Sequence, residues 1–140
     1  MLLLDTNVVS EMRKIVAGRA DPSVELWASN VDDTTAFVSV ITLHELEHGV
    51  LLAERRNQAG AATLRQWLDN DVRDAFSNRV LGIDLAVAKV AASLHVPDPA
   101  PINDAYIAAT ALVHNLTMAT RNLADFTRFP HLDIVNPWDF

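Results

Sequence analysis

The chain has 140 residues, half of them hydrophobic. That suits one domain with a single sizeable core, and it excludes disorder and, with no apolar stretch near the roughly 20 residues required, a membrane-spanning helix. It has no cysteine, which rules out disulfides, thiolate metal sites and a thiol nucleophile and fits a reducing cytoplasm. The formal net charge of −7 is not that of a generically basic nucleic-acid binder; it agrees with a cation site or a basic protein partner.

The first element is Leu2-Leu3-Leu4, an apolar run that ends abruptly at Asp5. Such a run reads as a buried parallel strand, and sites in open α/β sheets gather at the carboxyl ends of these strands. No basic segment leads into a long apolar one here, so no secretory signal is expected. Val24, Trp27, Ala28 and Val31 then form a helical stripe, followed by a strand over 36–41 and a second stripe of Leu43, Leu46, Val50 and Ala53. Leu64, Trp67, Leu68, Val72, Ala75 and Phe76 mark a third helix, and 80–83 a further strand. Leu85, Ala88, Ala91 and Leu94 continue as a helix with Asp84 as its N-cap. A helix over about 103–115 buries Ile107, Ala108 and Leu112, and strands at 117–119 and 132–135 complete the chain. Residues 18–22, 57–61 and 97–101 read as loops. Strands alternating with helices predict a three-layer α/β/α sandwich around a mainly parallel sheet of about five strands, in a single domain over 1–140.

Acids collect at the ends of these strands. Asp5 follows the first, Glu45 lies one helical turn past the second, and Asp104 sits in the first turn of its helix. Asn122 and Asp125 follow the fourth. If strands one, two and four are neighbours, all of these face one edge. Carboxylates so close raise each other's pKa, and a divalent cation removes that penalty. Mg²⁺ takes hard oxygen ligands, keeps several waters and holds one or two carboxylates; such an ion polarises a phosphodiester and generates hydroxide. The set therefore suits metal-assisted phosphodiester hydrolysis. Each acid alone has a plainer reading. Asp5 caps a turn starting near Asn7, and Thr42-x-x-Glu45 is a capping box. Asp104 complements a helix dipole, while Asn122 and Asp125 cap a short helix. The functional reading rests on their joint placement.

The motifs Leu3-Leu4-Asp5-Thr6-Asn7-Val8-Val9-Ser10-Glu11, Ser39-Val40-Ile41-Thr42-Leu43-His44-Glu45-Leu46, Asn103-Asp104-Ala105-Tyr106-Ile107-Ala108-Ala109-Thr110 and Thr120-Arg121-Asn122-Leu123-Ala124-Asp125-Phe126, closed by Asn136-Pro137-Trp138, together resemble a PIN domain. More narrowly, they resemble the VapC and FitB toxins of bacterial type II toxin–antitoxin modules, from Asp5 to Trp138. The resemblance implies a Mg²⁺- or Mn²⁺-dependent endoribonuclease with Asp5 and Asp104 as principal metal ligands and Glu45 acting on metal or water. Asn122 stands where many relatives carry aspartate. Either Asp125 substitutes for it, or the Asn122 amide oxygen holds a metal-bound water. Thr6, Ser39 and Thr120 would hydrogen-bond the acids, or serve as turn and cap residues. The implied partners are an RNA substrate, a second copy of the chain, and a small antitoxin. The DNA-binding half of that antitoxin represses the operon, and its other end wraps the toxin and inserts a basic side chain among the acids. Larger hetero-oligomers with the antitoxin follow the same pattern; no membrane is implied.

His44-Glu45-Leu46-Glu47-His48 also satisfies H-E-x-x-H, with two histidines on one helix face and a glutamate as base. A zinc hydrolase built on it needs a third ligand downstream. No glutamate follows Glu54, Leu51 stands where the metzincin continuation has glycine, and His95 or Asp69 serves only by special pleading. Two partly exposed histidines on an amphipathic helix is the plainer reading. His95, His114 and His131 show no ligand spacing. Arg13, Lys14 and Arg121 are expected near strand ends, where an RNA backbone needs positive surface. Arg55, Arg56, Arg65 and Arg73 read as solvated helix faces, and Trp27, Trp67 and Trp138 as core or interface aromatics. A catalytically silent PIN-like interaction module remains the main alternative to the nuclease.

Overall fold

The computed structural model describes residues 1–140. Its centre is β1 (Leu2–Leu4), which pairs with β2 (Ala36–Ser39) on one side and β4 (Thr117–Ala119) on the other. The strands β3 (Val80–Leu81) and β5 (Ile134–Val135) form the edges, giving the order β3-β2-β1-β4-β5 with every pairing parallel. The chain lays down β1, β2 and β3 in one direction, then returns to place β4 on the free side of β1. That reversal makes the gap between β1 and β4 a topological switch point, where α/β sheets open a crevice above their carboxyl ends.

Successive side chains of a strand point to opposite faces, so β1 feeds two cores. Leu4, with Ala36, Val38 and Ala119, packs against Val8 and Val9 of α1 (Thr6–Val16), Trp27 of α2 (Pro22–Ser29) and Leu46 and Val50 of α3 (Val40–Arg55). Leu68, Val72 and Phe76 complete that core from the segment after α4 (Ala61–Gln66), which runs as a π-helical turn over Trp67–Val72 into α5 (Arg73–Ala75). Leu3 and Met118 point the other way, onto Ile107, Ala108 and Ala111 of α7 (Ile102–Val113) and Phe126 of α8 (Leu123–Phe126). Burial of each such Leu or Ile side chain contributes about 1.5–3 kcal/mol. The remaining helix, α6 (Leu85–Ser93), seats Val87 and Ala91 against Ala109 of α7. Asp84 caps it as expected, accepting the Val87 N–H at 2.9 Å.

Three local expectations change. The strand expected over 36–41 ends at Ser39; Val40 and Ile41 enter α3, and Ser39 Oγ accepts the Ile41 N–H at 3.0 Å. Ser39 is therefore the helix cap, and Thr42 lies fully buried inside the first turn rather than capping it. The third helix is broken into α4, the π turn and α5. Arg65 does not face free solvent: it joins Glu47, Glu54 and Asp69 at 2.6, 2.8 and 3.3 Å, tying α4 to α3.

Candidate active site

Asp5 is the hinge of the site. It ends β1, caps α1, and is 5% exposed. Its Oδ1 accepts the Thr6 N–H at 2.8 Å, and its Oδ2 accepts the Thr120 hydroxyl at 2.8 Å and the Asn7 amide at 3.3 Å. Capping and site placement are thus one geometry, since a helix N-terminus after a strand aims both its N–H groups and its cap at the sheet edge. Burial holds the Asp5 carboxyl above the usual range; the Thr120 and Thr6 bonds oppose this and the Glu45 charge adds to it.

Glu45 reaches the same edge from α3, where its Oε1 accepts the Thr6 hydroxyl at 2.7 Å, with Thr42 Oγ1 3.4 Å from that hydroxyl. Asp104 comes from the first turn of α7 on the other face of the sheet. Burial first, then the charges of Asp5, Asp125 and Glu45, push its carboxyl up to about 6. Four carboxylates from four separate elements therefore share one electrostatic neighbourhood, as the sequence predicts. Asn122 stands exposed at the head of α8, its backbone N–H donating to Thr120 Oγ1 at 3.0 Å while its side chain makes no cap bond. Asp125, in the first turn of α8, is one of the three acids whose charge Asp104 feels.

Of the three hydroxyls expected around the acids, Thr6 and Thr120 hold them directly, whereas Ser39 serves as a cap. Asn7 and Thr42 are additional participants. Asn7 bonds Asp5 and also accepts the Arg121 N–H at 3.2 Å, locking α1 to the chain after β4. Its position two residues past a capping aspartate was the available signal. Arg13 falls elsewhere: it lies over the Trp67 ring and lines a cavity of about 700 Å³ with Ala36, Asp33 and Arg79, whereas Lys14 pairs with Glu11, an acid that also feels the charge of Arg121. That cavity contains none of the four acids.

The donors at the acid cluster are all hard oxygens that repel one another, a set that fits Mg²⁺ or Mn²⁺ and lacks the imidazole and thiolate that zinc favours. No three Asp, Glu or His side chains are already drawn together around one point, so an ion would gather its ligands and keep several waters. His44 and His48 are exposed, with ring centroids 6.4 Å apart, and gain no third ligand. No helix of the molecule is long and apolar enough to cross a membrane.

The family model for the PIN domain matches residues 2–132. The chain is 35% identical over 144 residues to the VapC ribonuclease Y4jK of Sinorhizobium fredii and 33% identical over 144 residues to toxin FitB of Neisseria gonorrhoeae, each alignment covering 99% of both chains. Among solved structures it superposes on a chain of FitAB bound to an IR36 DNA fragment with a TM-score of 0.86 and 30% identity, over 99% of this chain and 96% of that one. The chain belongs to the PIN-domain family.

Proposed function

We propose that the chain is a Mg²⁺- or Mn²⁺-dependent endoribonuclease and the toxin of a toxin–antitoxin pair. The observation that carries this is the meeting of acids from separate elements at the carboxyl end of the sheet. Thr120 and Thr6 hold Asp5, and the Thr6 hydroxyl holds Glu45. Asp104, in the first turn of α7, lies close enough to Asp5, Asp125 and Glu45 for burial and their charges to push its carboxyl up to about 6. Such a cluster stores repulsion that a divalent cation relieves. The names of the relatives, a VapC ribonuclease and a toxin, support the same reading.

Asp5 and Asp104 would hold the ion, with Glu45 acting on it directly or through water. Either Asp125, whose charge reaches Asp104, or Asn122, through its amide oxygen, would complete the set. Bound there, the cation supplies Lewis acidity toward the phosphodiester and toward water. The chain itself supplies orientation. Thr6 and Thr120 fix the Asp5 oxygens, and the Thr6 hydroxyl holds Glu45 in place to take the proton of a water that attacks phosphorus in line with the leaving oxygen. An antitoxin regulates this site by setting a cationic side chain among the same acids, and a second copy of the chain completes the toxin as a homodimer.

The test is cleavage of a pool of structured and single-stranded RNA under Mg²⁺, Mn²⁺, Zn²⁺ or EDTA. Wild type should cut only with Mg²⁺ or Mn²⁺, and Asp104→Asn should lose about 100-fold or more, as expected when a group acting on a catalytic ion is removed. The double variant His44→Ala, His48→Ala should cut like wild type. Loss in that double variant with Zn²⁺ rescue would move the assignment to a zinc hydrolase, and no cleavage by any form would leave a silent binding module.

A further inference from the structure

A polyanion approaching four clustered carboxylates meets repulsion at every phosphate except the one beside the cation. RNA therefore needs a fixed positive group on the rim of this site, and several basic side chains are already engaged elsewhere. Arg13 lies over the Trp67 ring beside a cavity that contains none of the acids, and Arg65 is consumed by three acids. Lys14 is paired with Glu11 at 3.0 Å, and Arg128 donates to the carbonyls of Asp98 and Pro99.

Arg121 differs. It follows Thr120, the residue whose hydroxyl holds Asp5, and its own N–H is anchored on Asn7 at 3.2 Å, so its backbone is fixed from two sides of the crevice. Its side chain is exposed and lies over the Trp138 ring, 5.2 Å from the centroid. Trp138 is held in turn by Asn136, whose Oδ1 accepts the Trp138 N–H at 3.0 Å and whose amide donates to Asp139 at 3.1 Å. No carboxylate stands in ion-pair contact with Arg121. Glu11, the acid that feels its charge, is already held by Lys14 and by the Asp21 N–H at 2.9 Å. An arginine stacked on a ring loses rotamer freedom while keeping its planar N–H fork outward, the form that recognises phosphate bidentately.

We infer that Arg121, braced on Trp138, grips an RNA backbone phosphate next to the one that is cut, and so sets the register of the strand across the acid cluster. The inference deepens the ribonuclease reading and rests on it for the substrate class. Its test is binding, which does not require turnover. A fluorescent single-stranded oligoribonucleotide is titrated with full-length Asp104→Asn protein, alone and combined with Arg121→Gln, Arg121→Lys, Trp138→Leu or Arg55→Gln, over a range of salt. Arg121→Gln should weaken binding about 5- to 20-fold and reduce the slope of log affinity against log salt by about 0.7, the value for one phosphate contact on a single strand. Arg121→Lys should restore the slope but only part of the affinity. Trp138→Leu should fall between, and Arg55→Gln should match the parent. Unchanged affinity and slope in Arg121→Gln would overturn the inference, as would a parent protein that binds no RNA. A melting shift without a slope change would do the same, because it marks Arg121 as a structural pin for the C-terminal turn. Arg121-dependent binding by a wild type that cleaves nothing would keep the phosphate contact but remove the nuclease, and with it the placement of that contact beside a cut phosphate.

Discussion

Thr120 does three jobs with one hydroxyl. It donates to Asp5 Oδ2, accepts the Asn122 N–H, and lies 3.4 Å from the Asn7 amide, all while fully buried. Thr120→Val keeps the shape and deletes these bonds, leaving a buried carboxylate oxygen and a backbone N–H short of partners. The expected cost is about 1–3 kcal/mol of stability in a urea melt, and cleavage about 10- to 100-fold slower. Thr120→Ser should recover most of both; a valine variant with full activity would show that Asp5 needs no such support. At this scale the acids were readable, because a carboxylate at the end of an apolar strand is conspicuous whatever surrounds it. Their hydrogen-bonding partners were harder to read. Thr42 is a good cap by its spacing to Glu45, yet α3 begins three residues sooner, so Ser39 takes the cap and Thr42 turns inward.

The element that positions Asp104 is α7, and its means is small side chains. Ala105, Ala108, Ala109 and Ala111 are all fully buried, so the helix axis lies close to the sheet and to α6, and Asp104 is carried to the crevice. Ala108→Leu overpacks that contact and should destabilise the fold by about 1–3 kcal/mol. It should also slow cleavage at a temperature where the variant is fully folded, since it lifts the whole first turn. Equal specific activity would show that α7 yields elsewhere. The element order was legible because apolar runs of strand length alternate with helical stripes. The boundaries were not: Val40 and Ile41 are β-branched and extend the strand pattern, but packing into the helical layer outweighs that weak preference. The break between α4 and α5 left no trace either, because a π turn keeps nearly the apolar spacing of the helix it interrupts.

Across the whole molecule, charge and stability pull against each other. Asp104 has its carboxyl raised to about 6 in the folded state against 3.8 without the fold. The folded chain then keeps a proton that the unfolded chain releases, so stability falls as pH rises from about 4 to about 6, and the full penalty stands above that window. In EDTA, Asp104→Asn should therefore melt higher than wild type at pH 7 and equally at pH 4. After discounting for the water around a half-exposed group, the gain is about 1 kcal/mol, or about 3 °C. Millimolar Mg²⁺ should raise the wild-type melting point and leave the variant where it was. A variant that gains as much at pH 4 as at pH 7 would locate the effect in packing rather than charge. The scattered cations were the least legible feature at this scale. Arg13, Arg65 and Arg121 look alike in the sequence, and only the folded path separates one lining a cavity without the four acids, one locked among acids and one stacked on Trp138.

The central strand, β1, precedes in chain order every other strand of the sheet, and β4, which closes its open side, is separated from it by two strands and seven helices. Thr120 meets Asp5 across 115 residues of chain, and Asp104 lies in the helix just before β4. While the chain is being made, the Asp5 carboxylate waits without its clamp, and the crevice has only one wall. Until β4 is in place the crevice between β1 and β4 does not exist and Asp5 lacks the Thr120 hydroxyl, so the acid cluster belongs to the finished domain and to no shorter piece of it.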